Sequence, residues 1–345
     1  MVECSYCNKP AVYINKLTGV KYCAKHFIEY FDKKVRRTIR RYGLFSTREN
    51  IIVATSGGKD SLSLLHYLNN LAKKIPGWRI SALLIDEGIK NYREYTIRDF
   101  LTVVDELNIP YRIVSFREYY GYTLDEIVKI GREKNLPYQP CSYCGVFRRY
   151  LLNKISREMN GTVLATAHNI DDTVQTFLLN IIRNSWDKIA RLGPVTGVIE
   201  HSLFVKRVKP FIEMLDKETI IYALLNNLVK PEFYECPYIE HNIRVYLRKY
   251  VNELEEKYPG TKYQLFKSML SIINILNKSR ELLIKGEIMK CRICGELSSH
   301  IICRSCLYRY ELGLTNPSEN SLIEELMREG KLKKIHRNRD DYNTI

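Results

Sequence analysis

One stretch decides the fold of this chain: Ile51-Ile52-Val53-Ala54-Thr55-Ser56-Gly57-Gly58-Lys59-Asp60-Ser61. Apolar residues 51–54 predict a short strand, and the pattern from Leu62 onward predicts a helix, so residues 56–61 form the turn between them. The two glycines let the backbone approach a ligand closely, and the free N–H groups at the start of the helix attract phosphate. Lys59 adds a positive charge, while the two serines add hydroxyl donors. Asp60 stands where a Walker A loop has Ser or Thr, so this turn is of another kind.

The turn resembles the Ser-Gly-Gly-x-Asp-Ser signature of the PP-loop ATP pyrophosphatases, which residues 56–61 match in full. We call these residues the nucleotide loop. The resemblance implies cleavage of ATP between the α- and β-phosphates, with AMP transferred to a carbonyl oxygen and pyrophosphate held by the loop. It leaves the acceptor open, and a turn that binds no ligand is the alternative interpretation.

Residues 46 to about 235 alternate predicted strands and helices. The predicted strands are residues 51–54, 80–85, 111–116 and 162–165, and the predicted helices are residues 61–74, 91–107 and 122–134. This alternation predicts an α/β fold with a doubly wound parallel sheet and helices on both faces. Ligands bind at the carboxyl ends of the strands in such sheets, so Ile85 is expected to flank adenine or ribose.

The chain has 345 residues, long enough for more than one domain, and carries 54 Lys and Arg against 39 Asp and Glu, a net charge of +15. This excess favours a polyanionic partner, and a solvated basic surface is the alternative. The cations cluster before the nucleotide loop and in the tail; the clusters are Lys33, Lys34, Arg36, Arg37, Arg40 and Arg41, and Lys331, Lys333, Lys334, Arg337 and Arg339. No apolar run approaches a membrane span and no signal peptide is evident, so we expect a cytoplasmic protein without a membrane partner.

Seven of the ten cysteines, together with His26, form two groups with zinc-ligand spacing. The first finger is defined by Cys4, Cys7, Cys23 and His26, and the second finger by Cys291, Cys294, Cys303 and Cys306. Each group is a pair of knuckles that completes a tetrahedron, the geometry of structural Zn²⁺. Both sites have four ligands and no open position, so we expect two structural zinc ions.

Three cysteines remain, which we call the cysteine triad: Cys141, Cys144 and Cys236. Three thiolates can bind three irons of a 4Fe–4S cluster and leave the fourth iron open to an external sulfur. A third zinc with a histidine or water ligand, or persulfide chemistry without a metal, are the alternatives.

The combination of motifs resembles the tRNA 2-thiouridine synthetases of the TtcA/TtuA superfamily, TtuA-type, along nearly the whole chain. Further matching segments are residues 164–172, 209–210, 235–237 and 258–262. The resemblance implies a 4Fe–4S cluster on the triad, ATP with Mg²⁺, and a tRNA uridine as acceptor, with position 54 of the T-loop favoured over the wobble position. It also implies a ubiquitin-like thiocarboxylate carrier as sulfur donor. A homodimer is a possible assembly of the chain. The chain departs from the family at Arg148, where many members have Lys, and at Ala167, where many have Gly.

The resemblance also suggests roles for individual residues. The predicted nucleotide-binding residues are Ala54, Ser56, Gly57, Gly58, Lys59, Asp60, Ser61, Ile85, Arg148, Ala167 and His168. Lys59 and Arg148 are expected to stabilise phosphate charge. Asp172 is the predicted catalytic carboxylate, with capping of a helix over residues 173–183 as its alternative role. Asp60, Asp171 or Asp172 would hold Mg²⁺.

These motifs divide the chain into predicted segments. They are the first finger at 1–32, a basic helical linker at 33–45, the PP-loop domain at 46–240, a helical segment at 241–290, the second finger at 291–310 and a charged tail at 311–345. Two rival functions remain open at this point. One is an ATP pyrophosphatase acting on a small carbonyl compound, and the other is a non-enzymatic zinc-finger protein that binds RNA.

Overall fold

A mixed α/β domain flanked by two small cysteine-containing units makes up the chain, whose computed structural model describes residues 2–196, 203–229, 234–239, 242–278 and 288–332. The strands are β1 (Tyr13–Ile14), β2 (Lys21–Tyr22), β3 (Glu49–Thr55), β4 (Trp78–Asp86), β5 (Tyr111–Ser115), β6 (Val163–Thr166), β7 (Val195–Thr196), β8 (Lys206–Val208), β9 (Met289–Lys290) and β10 (Leu297–Ser298). The helices are α1 (Ala24–Arg41), α2 (Lys59–Ala72), α3 (Arg93–Leu107), α4 (Phe116–Tyr120), α5 (Leu124–Glu133), α6 (Pro140–Glu158), α7 (Ile170–Ile182), α8 (Trp186–Ile189), α9 (Asp216–Leu225), α10 (Ile243–Lys257), α11 (Thr261–Lys278), α12 (Arg304–Leu312) and α13 (Pro317–Arg328).

The central sheet has the strand order β5-β4-β3-β6-β8-β7 in the part of the chain that the structure describes. Its neighbours pair in parallel except β7, which runs antiparallel to β8. Ile51, Ile52 and Val53 are fully buried, as expected for a central strand covered by helices on both faces. The predicted α/β fold with a parallel sheet is therefore confirmed.

The chain reverses its direction of winding at β3. From β3 it proceeds through β4 to β5, and β6 then pairs with the other edge of β3. Ligands of open α/β sheets bind in the crevice at such a switch point. The nucleotide loop, which follows β3, and residues 167–172, which follow β6, therefore lie together at one end of the sheet.

Two helices differ from the predicted segment limits, and two strands were not predicted. Helix α1 crosses residue 32 without a break, so the first finger and the basic stretch share one helix. Helix α6 begins at Pro140, whose fixed backbone suits the first turn of a helix. The strands β7 and β8 were not predicted, because two or three residues are too short to show a period-two pattern. The predicted helical segment at 241–290 and the tail include residues outside the described ranges.

Each finger packs on a different part of the central domain. In the first finger, the hairpin β1-β2 and helix α1 bury Tyr13, Phe27 and Phe31 in the core that covers one face of the sheet. The second finger packs Tyr308 of α12 against Tyr143 of α6, with ring centroids 5.1 Å apart. None of the described helices has the length and apolar run that a membrane crossing requires.

Candidate active site

The nucleotide loop connects β3 to α2 and is held by its own serines. Ser61 Oγ donates to the carbonyl of Gly58 at 2.9 Å and accepts from the backbone N–H of Ser56 at 3.1 Å. Gly58 is the N-cap of α2 and provides no side-chain cap, so the first N–H groups of the helix remain available to phosphate oxygens. This end of α2 fits a phosphate group.

A glycine is required at position 57, both by the backbone conformation there and by the close approach of Thr96. Its φ of 78° lies in the left-handed region, where glycine is favoured. A Cβ built there would lie 1.9 Å from the carbonyl oxygen of Thr96 on α3. The loop therefore packs directly on α3 through backbone atoms.

Two carboxylates surround Lys59. Its Nζ lies 2.8 Å from Asp60 Oδ2 and 2.5 Å from Oδ1 of Asp216, the first residue of α9. Burial alone would lower the pKa of Lys59, but the charges of Asp60 and Asp216 outweigh it and the pKa is raised. Lys59 is thus a fixed cation at the loop, and Thr219 of α9 donates a hydrogen bond to Asp60 on its other side.

A buried arginine anchors the loop from the side of β4. Arg93 is 3% exposed and donates to the carbonyl of Ser56 at 2.8 Å and to that of Ile85 at 2.7 Å. Its Nε lies 3.1 Å from Oε2 of the buried Glu87. Ile85 lies at the end of β4 with its side chain in the core, while Ala54 in β3 pairs with Thr166 of β6 beside the loop.

The residues after β6 form the opposite wall of the cleft. Ala167 packs against the core, and His168 Nδ1 lies 3.0 Å from Thr166 Oγ1. The His168 side chain is exposed to solvent, although many protein atoms lie around its ring. The pKa of His168 is lowered, first by this partial removal from water and then by cations that include Lys209 and Arg148.

Asp172 has a capping role, but it is not the N-cap that the sequence suggested. Helix α7 begins at Ile170, and its N-cap is Asn169, whose side chain accepts from the backbone N–H of Asp172 at 3.0 Å. Asp172 accepts in return from the N–H of Asn169 at 3.3 Å, which completes a capping box. The helix starts earlier than predicted because Asn169 and Asp172 satisfy its first N–H groups.

The surroundings of Asp172 favour its neutral form. Burial raises the pKa of Asp172 to about 6, and the charge of Asp60 acts in the same direction against the opposing charge of Arg244. Lys209 lies nearby, and burial lowers its pKa to about 8. A carboxyl group whose pKa is close to neutral is suited to proton transfer.

Asp171 is engaged elsewhere, which removes it from the predicted Mg²⁺ ligands. Its Oδ1 pairs with Lys262 of α11, and its Oδ2 accepts from the backbone N–H of Asp216 at 2.9 Å. Asp171 is 6% exposed, so it fastens α7 to α9 and α11. Asp60 and Asp172 face the cleft and remain candidates, since Mg²⁺ prefers carboxylate oxygens.

The cysteine triad lies at the start of α6 and in the loop before the 3-10 turn Pro237–Ile239. Cys141 is exposed, while Cys144 and Cys236 are partly buried against the core. Asn242 Nδ2 lies 3.8 Å from Cys141 Sγ, and burial raises the pKa of the Cys144 thiol to about 12. A metal that binds there must therefore displace a proton.

The spacing of the triad differs from that of the two fingers. The four ligand atoms in each finger all lie within 4.8 Å of one another, and the triad sulfurs do not meet this limit. Two sulfurs on one zinc at about 2.3 Å are about 3.8 Å apart in a tetrahedron. Cys7 and Cys23 Sγ are 3.7 Å apart, and Cys294 and Cys303 Sγ are 3.6 Å apart. The fingers fit zinc, whereas the wider triad fits a cluster whose thiolates bind separate irons.

Arg148 connects the triad to the nucleotide loop. It lies one turn after Cys144 on α6, and its Nη1 is 3.4 Å from Oε1 of Glu87. Glu87 also pairs with Arg93, which holds the loop. Cys144, Arg148, Glu87 and Arg93 thus form one connected set between the two predicted half-sites. Arg148 was predicted from the sequence as a site residue, whereas Glu87 and Arg93 were not.

The basic stretch of α1 is only partly free for a ligand. Lys33, Arg37, Arg40 and Arg41 are exposed at spacings that share one helix face, and Arg37 and Arg41 lie 3.9 and 3.0 Å from the carboxylate of Glu213. Lys34 is 6% exposed and points into the protein. In the tail, Lys331 pairs with Glu329 at 2.9 Å, and the other four cations of that run lie outside the described residues.

Sequence reasoning missed the contribution of α9. Asp216 and Thr219 contact Lys59 and Asp60 from about 160 residues further along the chain. Arg244 of α10, which donates to Thr176 near Asp172, was missed as well. No local motif marks these residues. Glu87 could have been found, because it follows Asp86 at the end of a predicted strand.

Comparison with known proteins agrees with this site. The chain matches the PP-loop domain family over residues 28–195. It is 34% identical to the tRNA-5-methyluridine(54) 2-sulfurtransferase of Pyrococcus horikoshii, over 89% of this chain and 93% of that protein. It is 31% identical to the cytoplasmic tRNA 2-thiolation protein 1 of Anopheles gambiae, over 98% of each chain. Its structure is similar to that of the U34-tRNA thiolase NcsA from Methanococcus maripaludis with its 4Fe–4S cluster, with a TM-score of 0.76, 34% identity, and coverage of 92% of this chain and 98% of that one.

Proposed function

The chain belongs to the family of PP-loop tRNA 2-thiolation proteins, and from that premise we propose that it is a tRNA uridine 2-sulfurtransferase. It would use ATP to activate O2 of a uridine and then replace that oxygen with sulfur. The products would be 2-thiouridine in tRNA, AMP and pyrophosphate.

One observation carries the proposal: a chain of side-chain contacts connects the phosphate-binding loop to the helix that carries two of the three triad cysteines. Arg148, Glu87 and Arg93 connect them through contacts of 3.4 and 3.1 Å, and Arg93 reaches the loop at 2.8 Å. The loop alone supports AMP formation, and the triad alone supports sulfur or metal chemistry. A thiolation reaction needs both at one site.

In the activation half, uridine O2 attacks the α-phosphorus of ATP and the bond to pyrophosphate breaks. The N-terminus of α2 and Lys59 bind the phosphates and stabilise the charge that moves onto pyrophosphate. Asp172 accepts the N3 proton of the uridine as O2 becomes bonded to phosphorus. Asp60 would hold the Mg²⁺ that accompanies ATP, since this ion prefers carboxylate oxygens.

In the sulfur half, sulfide adds to C2 and AMP leaves with the former O2, so the exchange requires no oxidant or reductant. The triad would hold a 4Fe–4S cluster, which supplies an iron without a protein ligand where a sulfur donor can bind. Arg148 is proposed to neutralise the departing AMP phosphate. His168, in the ring form without a charge, would contact AMP.

Two target positions have support. The Pyrococcus relative favours position 54 of the T-loop, which we propose first. The Methanococcus neighbour is named for U34, so the wobble uridine is the second candidate. The exposed cations of α1 are proposed to contact tRNA phosphates, which carry little sequence information. The position must then be chosen by the shape of the tRNA and by the cleft.

Further parts of the proposal rest on the resemblance and on the fingers. Each finger would bind one structural Zn²⁺. A ubiquitin-like carrier with a C-terminal thiocarboxylate is proposed as sulfur donor, and a homodimer as the assembly, which light scattering would test. A cytoplasmic location is supported by the name of the Anopheles relative, and the limits of the predicted segments are likewise proposals.

The test is anaerobic reconstitution with iron and sulfide, followed by reaction with ATP, Mg²⁺, sulfide and unmodified tRNA. Nucleoside mass spectrometry should show 2-thiouridine, in equal amount to AMP, and none without ATP. Sequencing of nuclease fragments would assign it to the T-loop or the anticodon loop. AMP formation with no tRNA requirement would instead favour a small carbonyl substrate, and tRNA binding with no ATP cleavage would favour an RNA-binding protein.

A further inference from the structure

Helix α9 stands between the first finger and the nucleotide loop, and a single buried carboxylate links the two. Glu218, the third residue of α9, is fully buried. Four groups donate hydrogen bonds to it: the hydroxyls of Tyr13 and Tyr30, the ammonium of Lys34 and the backbone N–H of Leu215. A buried carboxylate with this many donors is held in one position.

Three of the four donors belong to the first finger and its helix. Tyr13, on β1, donates to Oε1 at 3.0 Å, and Tyr30, on α1, donates to the same oxygen at 2.7 Å. Lys34 Nζ, also on α1, lies 2.5 Å from Oε2. Helix α1 also carries His26, the fourth predicted zinc ligand of the first finger. The finger and these donors therefore form one structural unit.

The fourth donor belongs to the turn that faces the nucleotide loop. Glu218 Oε2 accepts from the N–H of Leu215, the N-cap of α9, at 2.8 Å. The same first turn presents Asp216 to Lys59 at 2.5 Å and Thr219 to Asp60. The orientation of Lys59 and Asp60 therefore depends on a helix turn whose other side is fastened to the finger.

We propose that Glu218 is a positioning residue for ATP binding, which transmits the position of the first finger through the first turn of α9 to Lys59 and Asp60. The inference rests on the proposed function in one respect, that ATP is the ligand of the nucleotide loop. The first finger, on this account, supports the nucleotide site in addition to any contact with tRNA.

The surroundings of Glu218 explain why the link is specific. Lys34 is 6% exposed, and Glu218 is the carboxylate that pairs with it. Burial lowers the pKa of Lys34 and the charge of Glu218 acts against that effect. Loss of the carboxylate would leave a buried ammonium without its counter-charge, so α1 and α9 would have to separate or rearrange.

The main variant is Glu218→Gln, which keeps the shape and removes the charge. A milder second variant, Tyr13→Phe with Tyr30→Phe, removes two hydroxyl donors and leaves the Lys34–Glu218 pair intact. The matched control is Glu256→Gln, because Glu256 also pairs with the first finger through Lys16 but is 76% exposed and, within the described residues, forms no ion pair with the nucleotide loop. Circular dichroism and zinc analysis of each protein establish that the fold and both fingers are retained.

The measured quantities are the Kd for α,β-methylene-ATP with Mg²⁺ and the KM values for ATP and tRNA. We expect Glu218→Gln to raise the Kd and the KM for ATP about tenfold, and the double tyrosine variant about threefold, with the KM for tRNA unchanged. Glu256→Gln should behave as wild type. A purely structural role would lower kcat through loss of folded protein and leave the KM for ATP unaltered.

Wild-type affinity for the nucleotide analogue by folded Glu218→Gln and by the double tyrosine variant would overturn the inference. If Glu218→Gln does not fold, the affinity of the double tyrosine variant for the nucleotide analogue tests the inference by itself. Absence of analogue binding by the wild-type protein would instead overturn the proposed function. The two failures are thus distinguishable.

Discussion

The two halves of the site are each supported by one finger, but in different ways. The first finger reaches the nucleotide half through the Lys34–Glu218 pair, whose side chains are 5% and 0% exposed. The second finger reaches α6, which carries Cys141 and Cys144, through Arg157–Glu296, whose side chains are 21% and 11% exposed, and through the edge-to-face contact of Tyr308 with Tyr143. Similar ligand spacing therefore does not imply a similar role. What each finger supports is decided by the residues that flank its ligands.

The largest expected effect comes from removing a zinc ligand in either finger. Cys23→Ser and Cys303→Ser should each lose one zinc and with it on the order of 10 kcal/mol of metal-linked folding energy for that finger. If each finger supports only its own half of the site, Cys23→Ser loses affinity for the ATP analogue and Cys303→Ser loses iron from the triad. Zinc and iron analysis with nucleotide titration would check this. Equal loss of both properties in both variants would contradict the comparison.

The triad should be more important for activity than for stability. Replacing Cys141, Cys144 or Cys236 with Ala should lower tRNA thiolation about 1,000-fold, on the order of 4 kcal/mol, because each cysteine would hold a separate iron. The melting temperature of Cys141→Ala should change little, because Cys141 is exposed. Ser142→Ala in the same helix turn is the control. Undiminished thiolation by all three variants would exclude the cluster mechanism.

Asp172→Asn should reduce activity and increase stability. A positioned general base contributes about 100-fold, so thiolation should fall by that factor. The wild-type rate should rise as the pH passes about 6, the pKa of Asp172, since the ionised form accepts the proton.

The same variant should be more stable than the wild-type protein at high pH, although it is less active. The folded pKa is raised from 3.8 to about 6, so the stability that protonated Asp172 contributes is complete below 3.8 and is lost as the pH rises through 6. Asn resembles the protonated form, and at pH 8 it should raise the unfolding free energy by about 1–3 kcal/mol. Thermal unfolding at pH 4 and pH 8 would measure this, and a gain of equal size at both would contradict it.

The smallest effect is expected from a conservative change of the residue that joins the halves. Arg148→Lys keeps the positive charge at this position, so activity should remain within about fivefold of wild type. Arg148→Met removes the charge beside Glu87 and should cost about 100-fold, similar to other losses of a positioned charge. Single-turnover AMP formation would separate the two variants. Equal activity of Arg148→Met and Arg148→Lys would show that the connection between the two halves does not need a positive charge at this position.

The sequence allowed prediction of those parts of the site that are local in the chain. The nucleotide loop, the zinc-ligand groups and the strands around them have short signatures, since each depends on residues within one turn or knuckle. Asp172 shows the limit of this reasoning. Its position near a helix start was evident, but Asn169 rather than Asp172 caps α7, because the helix begins at Ile170.

The contacts made across the fold could not be predicted. Asp216 and Glu218 lie in a helix with no motif, and their roles arise only when α9 packs between α1 and α2. Lys34 belongs to a basic run that predicts a solvated face, yet the helix turns this one cation inward. Pairing over long sequence separations is determined by the complete packing, and a single sequence does not reveal it.

The packing of Gly57 on α3 has a consequence for the energetics of binding. Because its backbone touches Thr96 and Arg93 holds the carbonyl of Ser56, the loop cannot bend without shifting α3. The phosphates of a nucleotide would then meet a surface that is already ordered, with little loss of backbone entropy on association. Nucleotide capture should accordingly be fast and should show only a small change in amide hydrogen exchange within the loop.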